Sequence, residues 1–169
     1  MKKLFFSLTA TVALIGMVAC SSNDDVVKDM ELPTITDQGI TANPIECQVY
    51  NRGEDIAFRY RFTDNKELGN YNIEIHNNFD HHTHGTQGKS CDPDKTERNA
   101  KNAFYYNQDF SIPRGSKAYD ASQEIHIPTT VEPGDYHFMI RVTDQAGNQQ
   151  LRAMAIKINK TCTIKINKG

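Results

Sequence analysis

The sequence predicts an all-β domain, an antiparallel sandwich of about seven short strands. Three observations carry this. Apolar and polar residues alternate with period two over several stretches, as half-buried strands require. Clusters of Asp, Asn, Gly and Pro punctuate those stretches. Helix signals are nearly absent, so two layers of sheet are the remaining way to enclose a core.

Each element can be read in order. Residues 33–37 form a candidate edge strand led by Pro33, since an edge tolerates a residue without an N–H. Over 55–63, Ile56, Phe58, Tyr60 and Phe62 share one face, and Arg59, Arg61 and Thr63 the other. Asp64-Asn65-Lys66 marks a turn. Tyr71, Ile73 and Ile75 then alternate with Asn72, Glu74 and His76. Residues 123–127 give a short strand with Ile125 and Ile127 inward, ended by Pro128. Tyr136, Phe138, Ile140 and Val142 alternate with His137, Met139 and Arg141. Asp144-Gln145-Ala146-Gly147-Asn148 is a tight turn, and Leu151 to Ile158 is its hairpin partner. The stretch between His84 and Gln123 is polar and reads as an insertion with a strand or two of its own, between the third and fifth strands of a sandwich lettered A to G. The segment Ile156-Lys157-Ile158-Asn159-Lys160 recurs at 164–168, too short and too few for a solenoid.

The chain begins as an export signal. Lys2 and Lys3 precede an apolar run from Leu4 to Val18 that is short for a membrane span. Met17-Val18-Ala19-Cys20 resembles the bacterial lipobox, which makes Cys20 an acylated mature N-terminus, with Met17 in place of the usual Leu. Residues 1–19 are then a lipoprotein signal peptide, and 20–30 a lipidated, polar and acidic tether. Residues 31–169 are a single domain. Acidic residues just after the cysteine resemble a surface-export signal. The expected location is therefore the outer membrane, lipid-anchored, with surface exposure one of two arrangements because the stretch does not decide the leaflet. A formal net charge of −2 gives no basic footprint for nucleic acid.

Three cysteines remain for an oxidising compartment: Cys47, Cys91 and Cys162. The expected pair is Cys47–Cys162, because first and last strands often lie close. Cys91 would be a thiolate ligand only if it stayed reduced.

The six histidines are unevenly spread. His76, His81, His82 and His84 fall within nine residues, and only His126 and His137 lie elsewhere. Neutral imidazole suits Zn and Cu. His82 and His84, two apart on extended backbone, face the same way, and His81 faces the other. If 71–76 and 136–142 are antiparallel neighbours, His76 and His137 lie side by side on the outer face, at the pole where the 81–84 loop leaves. First-choice ligands are therefore His76, His82, His84 and His137. His81 and Asp80 are second choices, with Asp80 either a ligand or a partner orienting an imidazole. His126 faces out from the opposite sheet. A His-rich loop can also be merely solvated, or bind metal as any affinity tag does.

No nucleophile elbow, zinc-protease motif or phosphate-binding glycine loop is present, so no enzyme is expected; the enzymatic alternative is a metalloenzyme such as a copper redox site, which needs an open coordination position beside a substrate cleft. Asp92-Pro93-Asp94 and Asp144 to Asn148 read as turn chemistry, and calcium would need more carboxylates than either segment supplies locally. Phe104-Tyr105-Tyr106 offers either core packing or a stacking platform for sugars.

Glu132-Pro133-Gly134-Asp135-Tyr136, with the hairpin after it, resembles the F strand and tyrosine corner of bacterial immunoglobulin-like domains. Together with the lipobox, the Pro-led first strand and the His-Asn-Asn-Phe-Asp-His-His-Thr-His run, it resembles Bacteroidota lipoproteins carrying domain of unknown function 4625, over roughly residues 31–158. The resemblance implies an immunoglobulin-like sandwich on a lipoprotein and no established activity. The functional expectation is an envelope lipoprotein that captures or hands on Zn or Cu, working with an outer-membrane uptake system. The alternative is a surface module for glycan or protein that uses the insertion and has no metal role.

Overall fold

The computed structural model describes residues 28–84 and 91–160. The signal segment, Cys20 and most of the tether lie outside the described residues, as do Cys162 and the second copy of the Ile-Lys-Ile-Asn-Lys echo. Eight strands are formed: β1 (Thr34–Thr36), β2 (Gln48–Asn51), β3 (Asp55–Thr63), β4 (Leu68–Asn77), β5 (Tyr106–Ser111), β6 (Ala118–His126), β7 (Gly134–Asp144) and β8 (Gln149–Asn159). They make a β-sandwich of two sheets, one ordered β1-β3-β6 and the other β2-β8-β7-β4-β5.

Alternation dictates what faces inward. Ile56, Phe58, Tyr60 and Phe62 of β3 are fully buried, as are Tyr71, Ile73 and Ile75 of β4 and Phe138, Ile140 and Val142 of β7. Phe58 links the layers, its ring 6.2 Å from Tyr71 and 5.8 Å from Phe138. Each such side chain stabilises the fold by about 1.5–3 kcal/mol through burial. Tyr136 completes the corner, its hydroxyl donating to the Glu132 carbonyl at 2.6 Å and accepting from the Phe104 amide at 3.2 Å.

Two strands escape the alternation rule, because β2 and β5 lie on sheet edges and bury little. β5 is the strand inside the polar insertion. β6 begins five residues before the expected start, since the full length of β3 pairs with it.

The disulfide expectation is corrected. Cys47 bonds Cys91, with 5.5 Å between their Cα atoms. It is the second strand that meets the last, β2 running parallel to β8. The Cys47 amide donates to the Ala155 carbonyl, which lies seven residues before Cys162. The insertion passes over this edge and brings Cys91 alongside instead.

Candidate metal centre

β4 and β7 are antiparallel, with His76 directly opposite His137. After Asn77 the chain must leave the sheet. The His81 amide donates back to the Asn78 carbonyl at 3.3 Å, and His81 takes a left-handed φ of 56°. This reverses the loop over the outer face of β4 and β7.

Phe79 anchors the turn. It is buried edge-on to Tyr136 at 5.3 Å, with the Arg98 guanidinium 3.5 Å over its ring. Gly134 makes room, since a Cβ there would lie 2.7 Å from Phe79 Cε1, and its φ of +145° disfavours any side chain.

The reversed loop brings three imidazoles to one point. His76 Nε2 lies 3.2 Å from His82 Nε2 and 3.1 Å from His84 Nε2. One donor atom from each of the three lies within 4.8 Å of the other two. On the far side of the rings, His76 Nδ1 is 3.0 Å from Glu74 Oε1, and His82 Nδ1 is 2.6 Å from Asp80 Oδ1. Carboxylates accept, so each Nδ1 carries the proton and each Nε2 presents a lone pair. The lone pairs of His76 and His82 face each other at 3.2 Å and repel, and a cation between them would remove the conflict. With metal–nitrogen bonds of about 2.0–2.1 Å, tetrahedral ligand atoms are about 3.3 Å apart, close to the spacing here.

The electrostatics favour the neutral form of His84. Burial, then the neighbouring His76 and His82, lower the pKa of His84. The His82 ring holds the Asp80 carboxyl below its ordinary range.

His137 lies beneath this group, its ring centroid 4.5 Å from that of His84 and 4.9 Å from that of His82. It is fully buried although it sits on the outward face of β7, because the loop covers it. Its Nε2 donates to the His82 carbonyl at 3.1 Å, and its Nδ1 is buried without a partner. Burial is the main cause that pushes its pKa down to about 4. His81 turns away, with Nδ1 3.9 Å from Glu97 Oε1. His126 pairs with Asp55 on the other sheet, at 2.7 Å. Glu74 was missed as part of this site. Its signal was available, two residues before His76 on the same strand face.

A cleft of about 530 Å³ adjoins the loop, lined in part by His81, His82, Thr83, Lys157 and the Cys47–Cys91 bridge. Of the three converging rings, His82 is the one that lines it. In the aromatic patch, Phe104 is buried and Tyr105 is 65% exposed.

A β-sandwich with a histidine cluster over the paired β4 and β7 strands is thus the class the structure defines. The chain belongs to the family described as domain of unknown function (DUF4625), whose model matches residues 18–159. This match assigns no enzymatic activity. No curated protein sequence matches the chain.

Two solved structures show lower similarity. The GspB Siglec domain is 16% identical at a TM-score of 0.41, over 79% of this chain and 60% of that one. A family 123 glycoside hydrolase from Clostridium perfringens is 14% identical at a TM-score of 0.39, over 70% of this chain and 24% of that one. The chain spans less than two thirds of either, and likeness at this level carries no argument about ligand or activity.

Proposed function

We propose that this protein is a cell-envelope lipoprotein, held by a lipid on Cys20, whose sandwich binds Zn or Cu through His76, His82 and His84. One observation carries the reading: three Nε2 atoms converge while the Nδ1 atoms of two of the rings are tied to Glu74 and Asp80. Carboxylate-backed imidazole is how metal-binding histidines are commonly oriented and made more basic. His137 positions the loop through the His82 carbonyl and excludes water beneath the ligands. Three protein ligands leave a coordination place for water or for a ligand arriving through the cleft. Capture and handing-on of the ion, to an uptake system in the outer membrane, fits such an open site.

The test is titration of Zn(II) and Cu(II) into the untagged full chain in detergent, beside a His82→Ala/His84→Ala variant. Stoichiometric binding at sub-micromolar affinity, lost in a variant with an unchanged circular dichroism spectrum, is the expected result. Weak multi-site binding unaffected by the variant would remove the metal reading and leave a surface module for glycan or protein.

A further inference from the structure

At the opposite end of the β4–β7 pair, three acidic side chains from distant segments meet. Asp29 precedes β1, Asp64 follows β3 and Asp144 ends β7. One carboxylate oxygen from each lies within 4.8 Å of the other two. The turn chemistry at Asp144 lacks enough carboxylates in its own segment, and the fold delivers two more.

The hydrogen bonding is one-sided. Asp29 Oδ1 accepts from the Glu31 amide and from Asn65 Nδ2. Asp64 Oδ1 accepts from the amides of Lys66 and Glu67, at 2.8 and 2.7 Å. The second oxygens, Asp29 Oδ2 and Asp64 Oδ2, are sealed from solvent and accept nothing. Asp144, only 4% exposed, is fixed by the amide and side chain of Asn148, at 2.7 Å each. Asn148 Nδ2 also donates to the Asp29 carbonyl, tying the turn after β7 to the start of the domain, and the Asn65 bond ties in the turn after β3.

Among the described residues no Lys, Arg or His lies within ion-pair distance of any of the three. Gly69 permits the close fit, since a Cβ there would lie 2.9 Å from the Thr143 carbonyl oxygen and 3.0 Å from that of Asp144.

Buried carboxylate oxygens without a donor are costly, and native proteins satisfy nearly all of them. We propose that Asp29, Asp64 and Asp144 bind one calcium ion, which the orphaned Oδ2 atoms of Asp29 and Asp64 face. Calcium–oxygen bonds run about 2.3–2.6 Å, so ligand atoms around one ion are up to about 5 Å apart, which the cluster satisfies. Water completes the shell. An all-oxygen set suits a hard ion, whereas the imidazoles of the other cluster suit a softer one, so the two sites differ in the metal they favour. Calcium here fastens the start of the domain to the turns after β3 and β7.

The experiment uses the untagged full chain in detergent, stripped with chelator and titrated with calcium chloride by calorimetry. Thermal melting is followed in parallel, with Asp29→Asn, Asp64→Asn and His82→Ala/His84→Ala variants beside the parent. One ion per chain is expected, with a melting midpoint that rises with calcium. Both Asn variants bind at least about tenfold more weakly and lose the midpoint response. In chelator they melt no lower than the parent, because a neutral amide relieves the crowded charge. The histidine variant keeps its calcium response, so this site and the histidine reading fail separately. No saturable heat with an unmoved midpoint would overturn the proposal, and so would Asn variants that bind calcium as the parent does. If Asp64→Asn does not fold, Asp29→Asn decides alone, since Asp29 lies outside every strand.

Discussion

Replacing the carboxylates behind the histidines removes no ligand, so it reads how far the rings are built for metal. Glu74 and His76 meet at 3.0 Å with side chains 25% and 18% exposed, whereas Asp80, at 2.6 Å from His82, is 70% exposed. Loss of such a partner typically weakens metal binding about 10–100-fold. Water can take the place of the exposed Asp80, which puts Asp80→Asn near about tenfold. Glu74 is shielded, and its amide replacement can present an N–H to His76 Nδ1. That favours the tautomer with the proton on Nε2, where the metal would bind, so Glu74→Gln falls nearer about 100-fold. The two changes act on different ligands of one ion, and the double variant should lose more than either single one. Competition for Zn(II) against a chromophoric chelator at neutral pH measures these ratios. Circular dichroism confirms that the fold is kept. Affinity within about twofold of the parent for Glu74→Gln would refute the reasoning, because a tag-like cluster has no use for an oriented ring.

Two further outcomes follow from the same geometry. His137 titrates near 4 in the folded protein against an ordinary value of about 6.5, so the unfolded chain binds the extra proton between those pH values. Stability of the metal-free domain is therefore full above about pH 6.5 and falls toward pH 4, by up to about 3 kcal/mol from this group. Urea unfolding in chelator should show the slope, and His137→Gln should flatten it; equal slopes would contradict the assignment. Tyr136→Phe removes the bond to the Glu132 carbonyl and leaves the Phe104 amide without its acceptor, at a cost of about 1–3 kcal/mol. The melting midpoint should drop by about 5–10 °C while zinc affinity stays, since the ring against Phe79 is preserved; an unchanged midpoint would show that the corner carries no stability.

The parts legible in the sequence are those governed by local period. Ile56 to Phe62 and Tyr136 to Val142 declared their inward faces by alternation alone, and His76 opposite His137 followed once two strands were paired. What stayed hidden depends on long-range placement. Burial of His137 comes from a loop folding over an outer face, which alternation does not encode. Cys47 found Cys91 rather than Cys162 because a parallel edge pairing and a polar insertion decide which thiols meet. Asp29, Asp64 and Asp144 look like three separate turn residues until the sandwich closes. β2 and β5 carry weak patterns because edge strands bury little.

The blander account of the histidine run is a loop that hydrogen-bonds itself into shape. Such a loop would pair each donor with an acceptor. The outer side of this cluster does so: Glu74 accepts from His76, and Asp80 accepts from His82. On the inner side those same bonds fix the tautomers of His76 and His82, whose Nε2 atoms meet at 3.2 Å, while His84, with no carboxylate behind it among the described residues, is free to hold its proton on Nε2 and donate to His76. The His84 proton relieves its own contact with His76 but not the one between His76 and His82. An ion bonded to all three relieves both at once and leaves the carboxylate bonds intact. The acidic cluster at the other pole follows the same logic with hard ligands: the Oδ1 atoms of Asp29 and Asp64 accept from N–H donors, while their Oδ2 atoms are buried with none. In both places two of the three groups, His76 and His82 in one and Asp29 and Asp64 in the other, are held on one side by hydrogen bonds that leave the other side able to meet a cation.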